Sequence, residues 1–383
     1  MNRKQFVLVL LALCIIGGAG LTLFKRNQKT WDVREAKVGE FVFPDFKPND
    51  VASIHVKDRQ DFWIVRSNGT WIVPTRYNYR ANFQQISSLI IEIKQMKVMQ
   101  SEIVGPSLRE RVDLADPGTG QGAAFLIEFA DANGKVMHSL LLGRRHDKKQ
   151  NENEPLGMRG WFDGRYILIP SEPNNVLLVP SLLPGAAPDP GGWLDHSFFK
   201  VENVKFISLA SPDPKKNWEL TRETPNSKWT LNGTNPDQEL DRTKMAQATE
   251  IWAFPTFLDL LSNVPPAEVG LDKPNIVTVV TFDNLAYTIK VGAERPDGSH
   301  YITVAVAADL SSPRIPGSDE TPEDKKRLDD EFEAKKNNLR ATVEKDHAFA
   351  PWIFVADDWI NVVLRDRAEL VAAPSPTKEA SLK

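Results

Sequence analysis

The chain reads as one pattern written twice. The first copy begins Phe46-Lys47-Pro48-Asn49-Asp50-Val51, continues through Ile54 and Trp63, and reaches Trp71. The second begins Phe199-Lys200-Val201-Glu202-Asn203-Val204, continues through Ile207 and Trp218, and reaches Trp229. Both are short runs of β-branched and aromatic residues broken by turn residues, which is the signature of paired strands. Asn68-Gly69 between Trp63-Ile64-Val65 and Trp71-Ile72-Val73 marks a tight hairpin, and Pro225-Asn226-Ser227 plays that part in the second copy. A repeat of this length gives two units, each with its own sheet and core.

A helix follows in both copies. Asn82 can cap the first, and Ile86, Leu89, Ile90, Ile93 and Met96 recur at helical spacing. Asp241 can cap the second, followed by Met245, Ala248, Ile251 and Trp252, and Pro255 should end it early. Next comes a matching connector, Val112-Asp113-Leu114-Ala115-Asp116-Pro117 against Val269-Gly270-Leu271-Asp272-Lys273-Pro274. Strands Ala124–Phe129 and Val136–Leu142, ending at Gly143, parallel Val277–Phe282 and Tyr287–Val291, ending at Gly292. Asn175-Val176-Leu177-Leu178 and Asn361-Val362-Val363-Leu364 read as equivalent closing strands. Strands, one helix, then more strands is an α+β order, two duplicated units of antiparallel sheet with one main packed helix each. It lacks the β-α alternation of a doubly wound fold.

The expected boundaries are a first α+β repeat over 30–183, a linker over 184–197 that includes the Pro/Gly-rich stretch Pro184 to Gly192, and a second repeat over 198–371. The second repeat carries a charged insertion at about 310–346. Thr321-Pro322-Glu323-Asp324 supplies a capping residue, a first-turn proline and two acids. The apolar residues beyond it, Leu328, Phe332, Leu339 and Val343, form a thin stripe at helical spacing. Two readings stand: a solvated helix packed on its own domain, or a partner-binding helix projecting from it. Residues 372–383, rich in Pro, Ser and Lys, are expected to be a disordered tail.

Ahead of the repeats lies Phe6 to Phe24, a run of nineteen apolar and small residues without a charge, flanked by Arg3, Lys4, Lys25 and Arg26. At 1.5 Å per residue it spans about 28 Å, close to a bilayer's hydrocarbon core. Residues 1–29 are therefore expected to be an N-terminal transmembrane helix, with a cleaved signal near Gly18-Ala19-Gly20 and lipidation at Cys14 as competing readings. The five-residue tail before the run favours an inside N-terminus and export of the large C-terminal region. Cys14 is the single cysteine, so no disulfide can form within the chain. A net charge of −4 gives no bulk attraction to nucleic acid.

No phosphate-binding loop, zinc-protease or serine-hydrolase motif occurs. Gly118-Thr119-Gly120-Gln121-Gly122 lacks the Lys-Ser/Thr of a nucleotide loop and reads as a flexible connector. Arg144-Arg145-His146-Asp147-Lys148-Lys149 reads as a solvated hairpin loop. The six histidines have no metal-ligand spacing, and no catalytic residue, cofactor or metal is expected. Trp63, Trp71, Trp218 and Trp229 recur in both copies and read as core. Trp161, Trp193, Trp352 and Trp359 are less symmetric and are the candidates for surface recognition.

Several features together resemble the family designated "domain of unknown function 4340", bacterial envelope proteins held by a membrane anchor. They are the basic-flanked apolar leader, the Phe46–Trp71 block, the helix start Asn82-Phe83-Gln84-Gln85-Ile86, Leu271-Asp272-Lys273-Pro274, the glycines Gly143 and Gly292, and Trp193-Leu194-Asp195-His196-Ser197. The family has no established activity. The resemblance implies an extracytoplasmic (periplasmic) accessory or scaffold, single-pass in the bacterial cytoplasmic membrane, that acts without catalysis beside an ABC-type transporter of the gliding-motility kind. A glycan- or lipid-binding module using a cleft between the repeats, and an envelope hydrolase, are the alternatives. The partners expected are the membrane, through Phe6–Phe24, and envelope-complex proteins, with no nucleic acid.

Overall fold

The computed structural model describes residues 37–371 other than 121, 148–161, 235–237, 312 and 318. The transmembrane helix and the disordered tail expected from sequence lie outside the described residues, as does Trp161. Among the described residues, no helix is long and apolar enough to cross a membrane. The chain divides into two compact units between Asp195 and His196.

Unit 1 is built on an antiparallel sheet. Its strands are β1 (Ser53–Lys57), β2 (Asp61–Ser67), β3 (Thr70–Val73), β4 (Tyr79–Arg80), β5 (Gln100–Ile103), β6 (Phe125–Ala130), β7 (Val136–Asp147), β8 (Phe162–Leu168) and β9 (Asn175–Val179). They lie in the order β4-β3-β2-β1-β6-β7-β8-β9-β5. The β2–β3 turn has Asn68 and Gly69 both at positive φ, +50° and +82°, as a two-residue hairpin turn twisted like its strands requires. Helix α1 (Phe83–Gln95) begins where the side chain of Asn82 accepts the Gln85 amide hydrogen. Its spacing places Ile86, Leu89, Ile90 and Ile93 on one buried face. Each such side chain contributes about 1.5–3 kcal/mol on removal from water. Ile54, Val56, Ile64, Ile127, Phe129 and Leu140 alternate along the strands at no exposure. A second cluster, Leu114, Ala124, Leu141, Leu168 and Val176, uses the opposite strand parity.

Unit 2 has strands β10 (Val204–Ala210), β11 (Trp218–Thr221), β12 (Thr230–Leu231), β13 (Phe257–Leu261), β14 (Asn275–Thr281), β15 (Leu285–Glu294), β16 (His300–Ala308) and β17 (Ile353–Ala356). Their order is β12-β11-β10-β14-β15-β16-β17-β13. That is the order of unit 1 without β4. Helix α2 (Arg242–Glu250) takes the place of α1, capped by Asp241 through the Thr243 and Lys244 amides. Helix α3 (Pro322–His347) is an addition between β16 and β17, where unit 1 has only the short turn from β8 to β9.

Gly143 and Gly292 do not end their strands, which continue to Asp147 and Glu294. They are glycines because a Cβ at either position would strike the carbonyl oxygen of the preceding connector, Val112 in one unit and Val269 in the other. Those connectors turn through matching left-handed residues, Asp113 and Gly270. They close with Leu114 N–H to Arg109 O and Leu271 N–H to Pro266 O, 2.9 and 2.8 Å.

Four further sequence expectations are corrected. The closing strand of unit 2 is β17, and Asn361–Leu364 begins inside a 3-10 turn, Asp358–Val362; a short buried apolar run has no period to tell the two apart. Trp63 and Trp218 are not equivalent. Val56 pairs with Phe62 and Leu209 with Trp218, so Trp218 replaces Phe62, and Trp63, one residue on, points to the other face. Arg144 to Asp147 belong to β7 instead of a loop. Finally, much of the expected linker is folded onto unit 1. The Gln85 side-chain amide donates to the carbonyls of Gly185 and Gly192, each at 2.9 Å, and Leu194 bridges Ala81.

Candidate functional site

Helix α3 is the element of unit 2 that the shared topology does not require. Its start follows from sequence: Thr321 Oγ1 accepts the Asp324 amide at 3.1 Å, Pro322 opens the first turn, and Glu323 and Asp324 complement the positive end of the helix dipole. At 26 residues and 1.5 Å per residue it is about 39 Å long. Leu328, Phe332, Leu339 and Val343 are all half-buried. With Phe282 and Leu310, Phe332 and Leu339 line a cavity of about 160 Å³ between the helix and the β14–β15 turn. Lys335 forms an ion pair with Asp283 of that turn.

The C-terminal end of α3 is held more deeply. Tyr287 on β15 donates its phenol hydrogen to Asp346 Oδ2 at 2.6 Å. Asp346 is buried, as is Tyr287. Burial, then the Asp346 carboxylate, pushes the Tyr287 hydroxyl far above its ordinary range. Phe349, just past the helix, packs edge-on against Phe198 and Phe354 at 5.1 and 5.9 Å. At the other end, Arg314 folds the preceding loop back on the helix. Its Nη1 and Nη2 donate to the two oxygens of Glu320 at 2.6 and 2.7 Å, and its Nε donates to Asp329 at 2.6 Å. These hydrogen bonds, with one from the Gly317 amide, hold the Glu320 carboxyl down to about 2. The outer face between these ends carries both charge signs and is solvated.

A second polar row lies elsewhere, across β2, β1, β6 and β7 of unit 1. His55 Nδ1 meets Glu128 at 2.8 Å and its Nε2 meets Asp61 at 2.7 Å. The imidazole stacks on Trp63 at 4.4 Å, and Ser139 donates to the other Glu128 oxygen at 2.8 Å. The order Ser–Glu–His is not that of a Ser–His–acid triad, because the serine hydroxyl meets a carboxylate and not the imidazole. The row is cross-strand: His55 faces both Trp63 and Glu128, and Glu128 faces Ser139. It works as a polar ladder that fixes register.

The glycine-rich connector borders an open concavity of about 1070 Å³ with Asp58, Arg59, Gln60 and Asp189. Two carboxylates against one guanidinium give the wrong sign for a phosphate. Among the described residues, no group of three His, Cys, Asp or Glu side chains is placed to hold a metal ion.

Of the tryptophans expected at a surface, Trp193 is fully buried and donates to Ala187 O at 2.8 Å. Trp359 is buried, donates to Thr256 O at 2.8 Å and meets Trp252 edge-on at 6.0 Å. Both indoles serve the core, and of the candidates among the described residues only Trp352 is left half-exposed. The contacts that hold α3 were missed, since Tyr287 and Asp346 lie 59 residues apart and share no sequence pattern.

The family model "Domain of unknown function (DUF4340)" matches residues 71–274, just over half of the chain. The chain belongs to the DUF4340 family. The match runs from β3 of unit 1 to the connector before β14, so it takes in the helix-bearing part of each unit and stops before α3. Comparison with curated proteins and with solved structures returns no match.

Proposed function

We propose that this DUF4340 protein is a non-catalytic accessory or scaffold, anchored in the bacterial cytoplasmic membrane by Phe6–Phe24, whose two sheet units lie outside the cytoplasm and bind subunits of an ABC-type envelope transporter. The observation that carries the reading is α3. Two units share a strand order, and one of them has gained a long helix that this order does not need. It is fastened at one end by a buried Tyr–Asp hydrogen bond and at the other by an arginine fork, which leaves a rigid charged face toward solvent. A surface ordered before binding loses less conformational entropy when a partner docks. The apolar leader and the family's implied transporter neighbourhood support this reading of the location and the kind of partner.

The test is purification of the full chain from gently solubilised membranes, followed by mass spectrometry. Recovery of transporter subunits in fixed proportion is expected, with their loss when α3 is replaced by the short β8–β9 turn of unit 1. Repeated recovery of the chain alone would sink the reading.

A further inference from the structure

We infer that Ile315 is the anchor by which the inserted segment seats in an apolar socket rimmed by lysine and arginine on a folded protein partner. The inference rests on the reading of α3 as a contact element and names the point of contact. Ile315 is 90% exposed, more than any other large apolar side chain among the described residues. A single exposed isoleucine on a loose loop would mean little. The residues on either side of Ile315 are held. Arg314, its neighbour, makes three hydrogen bonds to Glu320 and Asp329 with only 15% of its side chain exposed. The Gly317 amide, two residues on, is held by the same Glu320 at 2.7 Å. Ile315 also precedes Pro316, which restricts its backbone to extended conformations. The side chain is thus held out from a fixed backbone, and its ordering cost is already met by contacts within the chain.

The topology supplies an internal control. Unit 1 builds the same strand order with no insertion. The fold therefore gives no reason to present an aliphatic side chain here, where it gains nothing from burial.

The surroundings select the occupant. Between residues 313 and 331 the acids are Asp319, Glu320, Glu323, Asp324, Asp329, Asp330 and Glu331, against Arg314, Lys325, Lys326 and Arg327. Seven negative charges against four positive leave −3. That sign repels an anionic bilayer surface, and it repels the same segment on a second copy of the chain. It is complementary to an apolar socket with a basic rim, and complementary charge both speeds encounter and excludes wrong partners.

The experiment uses the full chain in membrane vesicles from its own cells. A photo-crosslinking residue is placed at Glu323, in the first turn of α3, or at Asn337, midway along it. Adducts at Glu323 are expected on partner peptides that combine apolar residues with Lys or Arg. Ile315→Ala should lower their yield about tenfold or more, as for truncation of a buried anchor, and raised salt should lower it further. Because the side chain is solvated, the substitution leaves the circular dichroism and melting of the chain unchanged. Undiminished adducts in Ile315→Ala overturn the inference and leave the contact role of α3 standing. Lipid adducts or copy-to-copy adducts at Glu323 also overturn it. No adduct from either position ends this inference and the reading beneath it.

Discussion

The phenol of Tyr287 and the carboxylate of Asp346 meet at 2.6 Å inside unit 2, and this bond ties the last turn of α3 to the third-last strand in the chain. The equivalent of Tyr287 in unit 1 is His138, which packs on Phe46 at 5.2 Å as Tyr287 packs on Phe199 at 5.2 Å. Unit 1 thus keeps the ring-on-ring contact and has no inserted helix to hold. Tyr287→Phe preserves the ring and leaves a buried carboxylate without its donor, which costs about 1–3 kcal/mol. The expected result in urea titration is a lowered midpoint, with faster proteolysis inside α3. Equal resistance of α3 in both proteins would count against its being fastened there. The pH dependence has a definite sign. Burial raises the folded-state tyrosine above its ordinary value of 10.0, so stability is full below pH 10 and falls as the unfolded chain ionises above it. Tyr287→Phe should lessen that alkaline loss.

Much of the architecture was legible in sequence because the repeat carries its own check. Leu114 and Leu271, Gly143 and Gly292, and the caps Asn82 and Asp241 each recur with the same backbone task. Register was not legible across β1–β2, because the equivalent loops differ, Asp58 to Gln60 against Ser211 to Asn217. Alternation alone could not tell whether Trp63 or Phe62 matches Trp218. The indole amides of Trp193 and Trp359 find backbone acceptors through tertiary folding, at Ala187 and Thr256. No local pattern announces such acceptors, so asymmetry in sequence suggested a surface role for residues that serve the core.

The two strand glycines provide the next test. Gly143→Ala and Gly292→Ala each force a methyl against a connector carbonyl, Val112 or Val269. Since the obstacle is backbone, relief requires the connector to move, and a cost of about 1–3 kcal/mol is expected for each. Gly105→Ala is the control. Its Cβ meets nothing within 4 Å, and its stability should change by about 0.5 kcal/mol or less. Melting curves of the three variants decide the matter, and equal midpoints for Gly105→Ala and Gly143→Ala would refute the close-approach account.

Acid should weaken both units. Burial lowers His138 and His300 below the ordinary histidine value of 6.5, and His300 Nδ1 has no hydrogen-bond partner. Both rings stay neutral in the folded chain while the unfolded chain takes up protons below 6.5. Stability is therefore complete above that pH and declines as pH falls toward the depressed folded values. Urea midpoints measured from pH 7.5 to 5 should fall, and His300→Gln should flatten the part of the slope that belongs to unit 2. An unchanged slope in that variant would remove His300 from the account.

The Arg314 fork should respond to acid in a different range. Hydrogen bonds from Arg314 and the Gly317 amide hold Glu320 at about 2, against 4.5 for an ordinary glutamate. The stabilisation of the loop is therefore present above pH 4.5 and lost as pH falls through 2. Glu320→Gln should reproduce the acid state at neutral pH, since an amide gives Arg314 one acceptor where the carboxylate gives two. Hydrogen exchange at residues 313–317 should rise in that variant, while the global melting point moves little, because none of the described residues of that loop belongs to the buried core of unit 2. Exchange that stays slow after Glu320→Gln would mean that the prolines, and not the arginine fork, order the loop around Ile315.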